Sequence, residues 1–207
     1  TGEKDPFALR RHALGVARII VDKDLPLALG KLIEIAYQTF EEKGLKALFD
    51  IQGHVEILCQ ERLARMLESE GFEQTEIFAV LAVQGMSSHW SALRERLAAV
   101  RAFAALPEAP ALAAANKRIG NILKKADGAV DPHVSEVLLQ EPAEKALYAA
   151  MQVTLPQAQA QFSAGDYTAS LQTLAALRVP VDAYFDGVMV NAEELDVRLN
   201  RLGTLKS

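Results

Sequence analysis

Apolar side chains recur along this chain at intervals of three and four. Leu9, Ala13, Val16 and Ile20 step by four, three and four, and Val55, Leu58, Cys59, Leu63, Met66 and Leu67 repeat the stripe more densely. That is the period of helices with one face in a core, and convincing period-two alternation is missing. Helix starts are marked by an acid followed by proline. Asp5–Pro6 and Asp131–Pro132 each suit a capping carboxylate with proline in the first helical position. Thr75 and Asp166 are further caps, and Pro26, Pro142 and Pro180 are further openers. The pattern predicts helices over 6–22, 26–43, 51–70, 75–84, 88–104, 111–126, 132–140, 142–164, 167–177, 180–192 and 194–206, and so an all-α fold.

Length and punctuation divide the chain. Its 207 residues suffice for one large domain or two small ones, each with a core. Leu106-Pro107-Glu108-Ala109-Pro110 places two prolines three positions apart, which stops a helix and stiffens the connection. Two helical units are therefore expected, over 1–105 and 106–207. The longest apolar run, Ile77 to Val83, is too short for a bilayer, which takes about 20 residues. A single cysteine, Cys59, excludes an internal disulfide and a multi-cysteine zinc site. A cytoplasmic protein without membrane contact is the expectation. The opening Thr1-Gly2-Glu3, without a methionine, reads as the start of an excised piece.

Catalytic chemistry needs converging reactive groups, and the sequence offers few. His12, His54, His89 and His133 are scattered; none precedes an aspartate and none has the i, i+4 partner of a helical zinc pair. There is neither a glycine-rich phosphate loop nor a GxSxG elbow. Cys59 lies on the apolar stripe of its helix and reads as packing, as do Trp90, Tyr37, Tyr148 and Tyr167. The acidic pairs Glu41–Glu42 and Glu193–Glu194 read as solvated surface. No catalytic residue, metal or cofactor is expected in this chain.

Charge changes the picture at one place. The chain carries a formal net charge of −5, yet Asn116 to Ala126 reads NKRIGNILKKA, with four cations and no carboxylate between Glu108 and Asp127. On a helix Lys117, Asn121 and Lys124 share a face at i, i+4, i+7, with Arg118 and Lys125 beside them, while Ile119, Ile122 and Leu123 point inward. Such a face can hold phosphates through Lys117, Arg118, Lys124 and Lys125 and base edges through Asn116 and Asn121. The bland reading is a solvated helix surface. Near the C-terminus Arg198, Asn200 and Arg201 surround a Leu195, Leu199, Leu202 stripe; they either complete an RNA face or pair with Glu194 and Asp196. Phe185, Val188 and Met189, at i, i+3, i+4, read as core rather than as base-stacking residues.

Three strings carry a family resemblance. KDPFALRR at 4–11, continuing to Val21, resembles the signature of the beta subunit of bacterial glycyl-tRNA synthetase. ANKRIGNILKKA at 115–126 is similar to the first helix of the anticodon-binding domain that this subunit shares with arginyl-tRNA synthetase. VPVDAYFDGVMVNAEELDVRLNRL at 179–202 resembles the close of that domain. The resemblance implies a multi-helix body followed by a helical-bundle anticodon-binding domain truncated at its C-terminus. It also implies a division of labour: an alpha subunit that binds ATP and glycine and performs the chemistry, and a beta subunit that binds glycine tRNA. Family members usually carry an apolar residue where Asn191 stands and alanine where Gly203 stands, and they continue beyond Ser207.

A tRNA-binding, non-catalytic piece of the ligase, with no role on DNA, is the reading that follows. Its rival is an all-helical scaffold that docks the alpha subunit. Arg10 and Arg11 suit either tRNA or an acidic protein surface.

Overall fold

The computed structural model describes residue 5 and residues 7–44, 51–84, 89–126 and 128–207. The chain is all-α: among the described residues there is no strand, only one isolated bridge between Ala28 and His89. It forms two compact units, residues 1–101 and 102–207, with the division inside a helix rather than at the proline pair.

The first unit holds α1 (Leu9–Asp22), α2 (Leu29–Glu42), α3 (Ile51–Ser69), α4 (Gln74–Gln84) and most of α5 (Leu93–Ala104). Its core brings Ala13, Ala17 and Ile20 of α1 against Cys59, Leu63, Met66 and Leu67 of α3, joined by Ile77, Trp90, Leu93 and Leu97. The expected stripes are met in part: Leu9, Val16 and Val55 stand exposed, and Ala17 takes the inward place on α1. Burial first, then the nearby Glu56 charge, pushes the Cys59 thiol up, which suits packing. The guanidinium of Arg94 ties α1 to the end of α3, bonding Asp22 at 2.6 Å and Glu70 at 2.9 and 3.0 Å.

Several helix starts fall later than the proline signals suggest. Asp5 does cap α1, its carboxylate accepting the amides of Leu9 and Arg10 at 2.8 and 3.0 Å. The helix waits until Leu9 because Ala8 adopts a left-handed turn, φ 55°. Pro6 lies outside the described residues. Pro26 sits in an extended link before α2, and Thr75 falls inside α4, where Glu76 instead accepts the Glu73 amide at 2.8 Å. α5 starts at Leu93 because Ala92 is also left-handed, φ 53°, and gives its amide to Asp24 at 2.7 Å.

The second unit holds α6 (Ala109–Lys124), a 3₁₀ turn (Glu136–Leu138), α7 (Pro142–Ser163), α8 (Tyr167–Ala175), α9 (Arg178–Gly187) and α10 (Leu195–Lys206). Pro142 opens α7, and Asp166 caps α8 by accepting the Ala169 amide at 3.0 Å. The core gathers Leu147, Met151, Tyr184, Val188, Val190 and Leu202, with Ile122 and Leu123 packed against it.

Two expected helices are corrected here. Residues 132–140 form only the 3₁₀ turn, because the Asn200 side chain grips Ser135 on both sides. Its oxygen accepts the Ser135 amide at 2.7 Å and its nitrogen donates to the Ser135 carbonyl at 3.1 Å, so the segment stays extended against α10. Asp131 closes a local turn on the His133 amide instead of capping a helix. The helix expected over 180–192 ends at Gly187. Beyond it Val188 and Val190 are buried alternately, and Met189, read from sequence as core, is 74% exposed.

Candidate nucleic-acid interface

An alanine-rich start and Pro110 in its first turn favour α6 as a helix. Ala109 and Ala115 are buried, Ile122 and Leu123 pack on the core, and the cations lie on the remaining surface. Asn116, Lys117, Arg118, Asn121, Lys124 and Lys125 are all exposed. α10 runs beside α6, and its buried face differs from the expected leucine stripe. Val197, Asn200, Arg201 and Thr204, at i, i+3, i+4, i+7, point inward together with Leu202. Leu195 and Leu199 point out, 55% and 50% exposed.

This inversion has a cause in α7. Glu144 is 1% exposed, and Arg201 meets it with two hydrogen bonds, Nε to one carboxylate oxygen at 2.8 Å and an Nη to the other at 3.1 Å. The amides of Gln140 and Glu141 donate to the same carboxylate at 3.0 and 2.8 Å. Burial alone would raise the Glu144 carboxyl; the Arg201 guanidinium and these amides outweigh it and hold it below the usual range. The other Nη of Arg201 donates to the Met189 carbonyl at 2.9 Å, fixing the extended 188–190 segment. Buried Tyr184 is pushed up, first by burial and then by the Glu144 charge. Asn200 and Arg201, candidates for RNA contact from sequence, are thus interior residues that hold α10, and neither presents its polar group to a ligand.

What α6 and α10 leave between them is an open groove of about 660 Å³, containing Lys117, Arg118, Asn121, Lys125, Arg198, Asn191, Leu195 and Leu199 on its walls. Five of the nine sequence candidates therefore converge. Asn116 and Lys124 are exposed but lie off the groove walls. Arg118 has a further contact: its guanidinium carbon sits 4.2 Å from the centroid of the Phe185 ring. Cations beside apolar ledges suit a ligand that is both anionic and flat-faced. No group of three or more His, Cys, Asp or Glu among the described residues is placed to hold a metal ion.

Two family models divide the chain. The model for the glycyl-tRNA synthetase beta subunit matches residues 1–82, and the model for the DALR anticodon binding domain matches residues 112–207. Similar curated proteins align along its whole length. The glycine–tRNA ligase beta subunit of Polaromonas naphthalenivorans is 61% identical over 100% of this chain. That of Acidovorax sp. is 57% identical over 100%, and that of Thiobacillus denitrificans 50% identical over 99%. The chain belongs to the glycyl-tRNA synthetase beta-subunit family. It spans 28% of the length of each of these relatives.

Every groove residue falls inside the stretch matched by the anticodon binding domain. The glycyl-tRNA synthetase resemblance drawn from KDPFALRR and YFDGVMV thus names the right family. What sequence reasoning missed are the apolar ledges Leu195 and Leu199 and the polar Asn191. One cue was available: Gly203 inside α10 marks a close backbone approach on the face that carries Asn200 and Arg201. Among the described residues no single helix is long and apolar enough to cross a membrane.

Proposed function

We propose that this chain is a tRNA-binding part of glycine–tRNA ligase that recognises the anticodon region of glycine tRNA through the α6–α10 groove and thereby supports aminoacylation. The observation that carries this reading is the convergence of Lys117, Arg118, Lys125 and Arg198 around one groove in a unit that is otherwise acidic. Residues 102–207 contain nine Lys and Arg against twelve Asp and Glu, a net charge of −3. Phosphates are therefore drawn to this face and repelled by much of the rest. Asn121 and Asn191, on the same walls, offer amide donors and acceptors to base edges. Glycine anticodons carry two cytosines, whose edges present both an amine and acceptors.

In this reading ATP and glycine belong to the alpha subunit, and the chain contributes binding energy that helps place the acceptor end there. Docking on the alpha subunit is a second reading for residues 1–101. It is favoured by large apolar side chains standing out from that unit, among them Val16, Ile19, Ile35 and Phe40.

The test is binding of the 207-residue chain to glycine tRNA, and to the same tRNA with both anticodon cytosines replaced, at two salt concentrations. The natural anticodon binds more tightly. K117A/K125A weakens binding and lowers the slope of log affinity against log salt by about 1.4, two contacts at about 0.7 each for single strands. Equal affinity for both tRNAs would remove the anticodon from the reading, and an unchanged slope in the double variant would remove the groove.

A further inference from the structure

Beside the groove lies a second hollow, about 370 Å³, lined by Ala111, Ala114, Arg118, Asp182, Phe185 and Asp186. Its floor is built in layers from the core outward. Tyr184 is completely buried, and its hydroxyl donates to the Arg201 carbonyl at 3.4 Å. Phe185 meets the Tyr184 ring edge-on, centroids 5.7 Å apart at 82°. Arg118 then covers the Phe185 ring. The guanidinium is exposed, and it makes no hydrogen bond or ion pair with the described residues. All five of its N–H donors are thus free for a ligand, while its position is fixed by the ring beneath.

We propose that Arg118, Phe185 and Asp186 form a subsite for one unpaired base of the bound RNA, the base extending the Phe185–Arg118 stack. The proposal rests on the tRNA-binding reading above and assigns Arg118 a part other than phosphate attraction. Two observations separate these parts. A cation that only attracts phosphate does not require an aromatic ring beneath it, whereas splayed-out RNA bases stack on aromatic rings and on guanidinium planes. The same hollow also holds two carboxylates, which repel a phosphate. Asp182 is engaged by Arg178 at 3.3 Å; Asp186 is exposed and has no partner among the described residues. An arginine edge supplies donors and an aspartate supplies an acceptor. A base edge carrying both an acceptor and an amino or imino donor matches that pair, and a phosphate does not.

The experiment uses the 207-residue chain and an RNA hairpin with the anticodon stem and loop of glycine tRNA, with 2-aminopurine at one loop position at a time. Wild-type protein changes the fluorescence strongly at one loop position. R118K keeps the charge and loses the planar group; it weakens binding about tenfold, leaves the salt slope unchanged and abolishes the fluorescence change. F185L, which keeps an apolar floor, acts in the same direction, and its fold is checked by thermal denaturation. D186N alters which base is preferred at that position more than threefold. If wild-type protein binds and R118K matches it in affinity and fluorescence, the subsite is overturned while the tRNA-binding reading stands. An unchanged base ranking in D186N removes Asp186 from it. No binding of wild-type protein to either hairpin or whole tRNA overturns both.

Discussion

Glu144 accepts four hydrogen bonds, two from the Arg201 guanidinium and two from the amides of Gln140 and Glu141, in a place closed to solvent. A buried ion pair owes little net stability to its own attraction, because removing two charges from water costs several kcal/mol each. Removing one partner is different, since the other is left charged and unsatisfied. E144Q keeps the shape and strands Arg201, so it should lower unfolding free energy by about 3–5 kcal/mol, read from urea titration at pH 7. The pH dependence follows from the direction of the shift. The folded carboxyl lies below its ordinary value of 4.5, so its contribution is complete above that value. It is lost as pH falls through the lower folded value. The gap between wild type and E144Q therefore narrows below about pH 4.5, and a gap constant down to pH 3 would remove Glu144 from the acid limb.

At the scale of the element, α10 shows where sequence pattern reads well and where it stops. The helix itself was legible from periodicity, as were the Cys59, Leu63, Met66 and Leu67 side of the α1–α3 core and the cation-bearing face of α6, because each rests on spacing within one segment. Which side of α10 is buried was not. Leu195, Leu199 and Leu202 compete with Val197, Asn200, Arg201 and Thr204 at equally helical spacings, and hydrophobicity alone chooses the leucines. The decision lies in groups remote in sequence: Glu144 for Arg201 and Ser135 for Asn200. The same remoteness hid the extended 132–135 segment, whose Asp-Pro signal is a valid helix start overruled by Asn200. Gly203 makes the packing testable. A Cβ there would lie 2.6 Å from the His133 carbonyl oxygen and 3.0 Å from that of Asp131, both backbone atoms. G203A should cost about 1–3 kcal/mol by overpacking, although the resemblance implies alanine at this position in relatives. Thermal denaturation of G203A beside wild type checks it, and a variant as stable as wild type would show that the 131–133 backbone yields freely.

For the whole molecule, the question is how much of the chain the proposed RNA site requires. Residues 102–207 contain their own core, the Glu144–Arg201 pair that holds α10, and every residue of the groove and the adjoining hollow. Among the described residues, the polar contacts that fix the groove walls are made by residues of this unit, Glu144, Arg201, Ser135 and Asn200. The first unit carries thirteen Lys and Arg against fifteen Asp and Glu, a net charge of −2, so it adds no general attraction for RNA. If binding resides in the groove, the piece 102–207 should fold alone and bind the anticodon hairpin within about threefold of the 207-residue chain, with the same salt slope. A matching slope with much weaker affinity would mean that the first unit supplies uncharged contacts. A smaller slope would mean that cations outside the groove, Arg10 and Arg11 first among them, take part of the RNA. The unit boundary inside α5 makes the choice of ends matter: a piece beginning at Leu93 keeps α5 whole, and comparing it with 102–207 separates lost helix from lost contact.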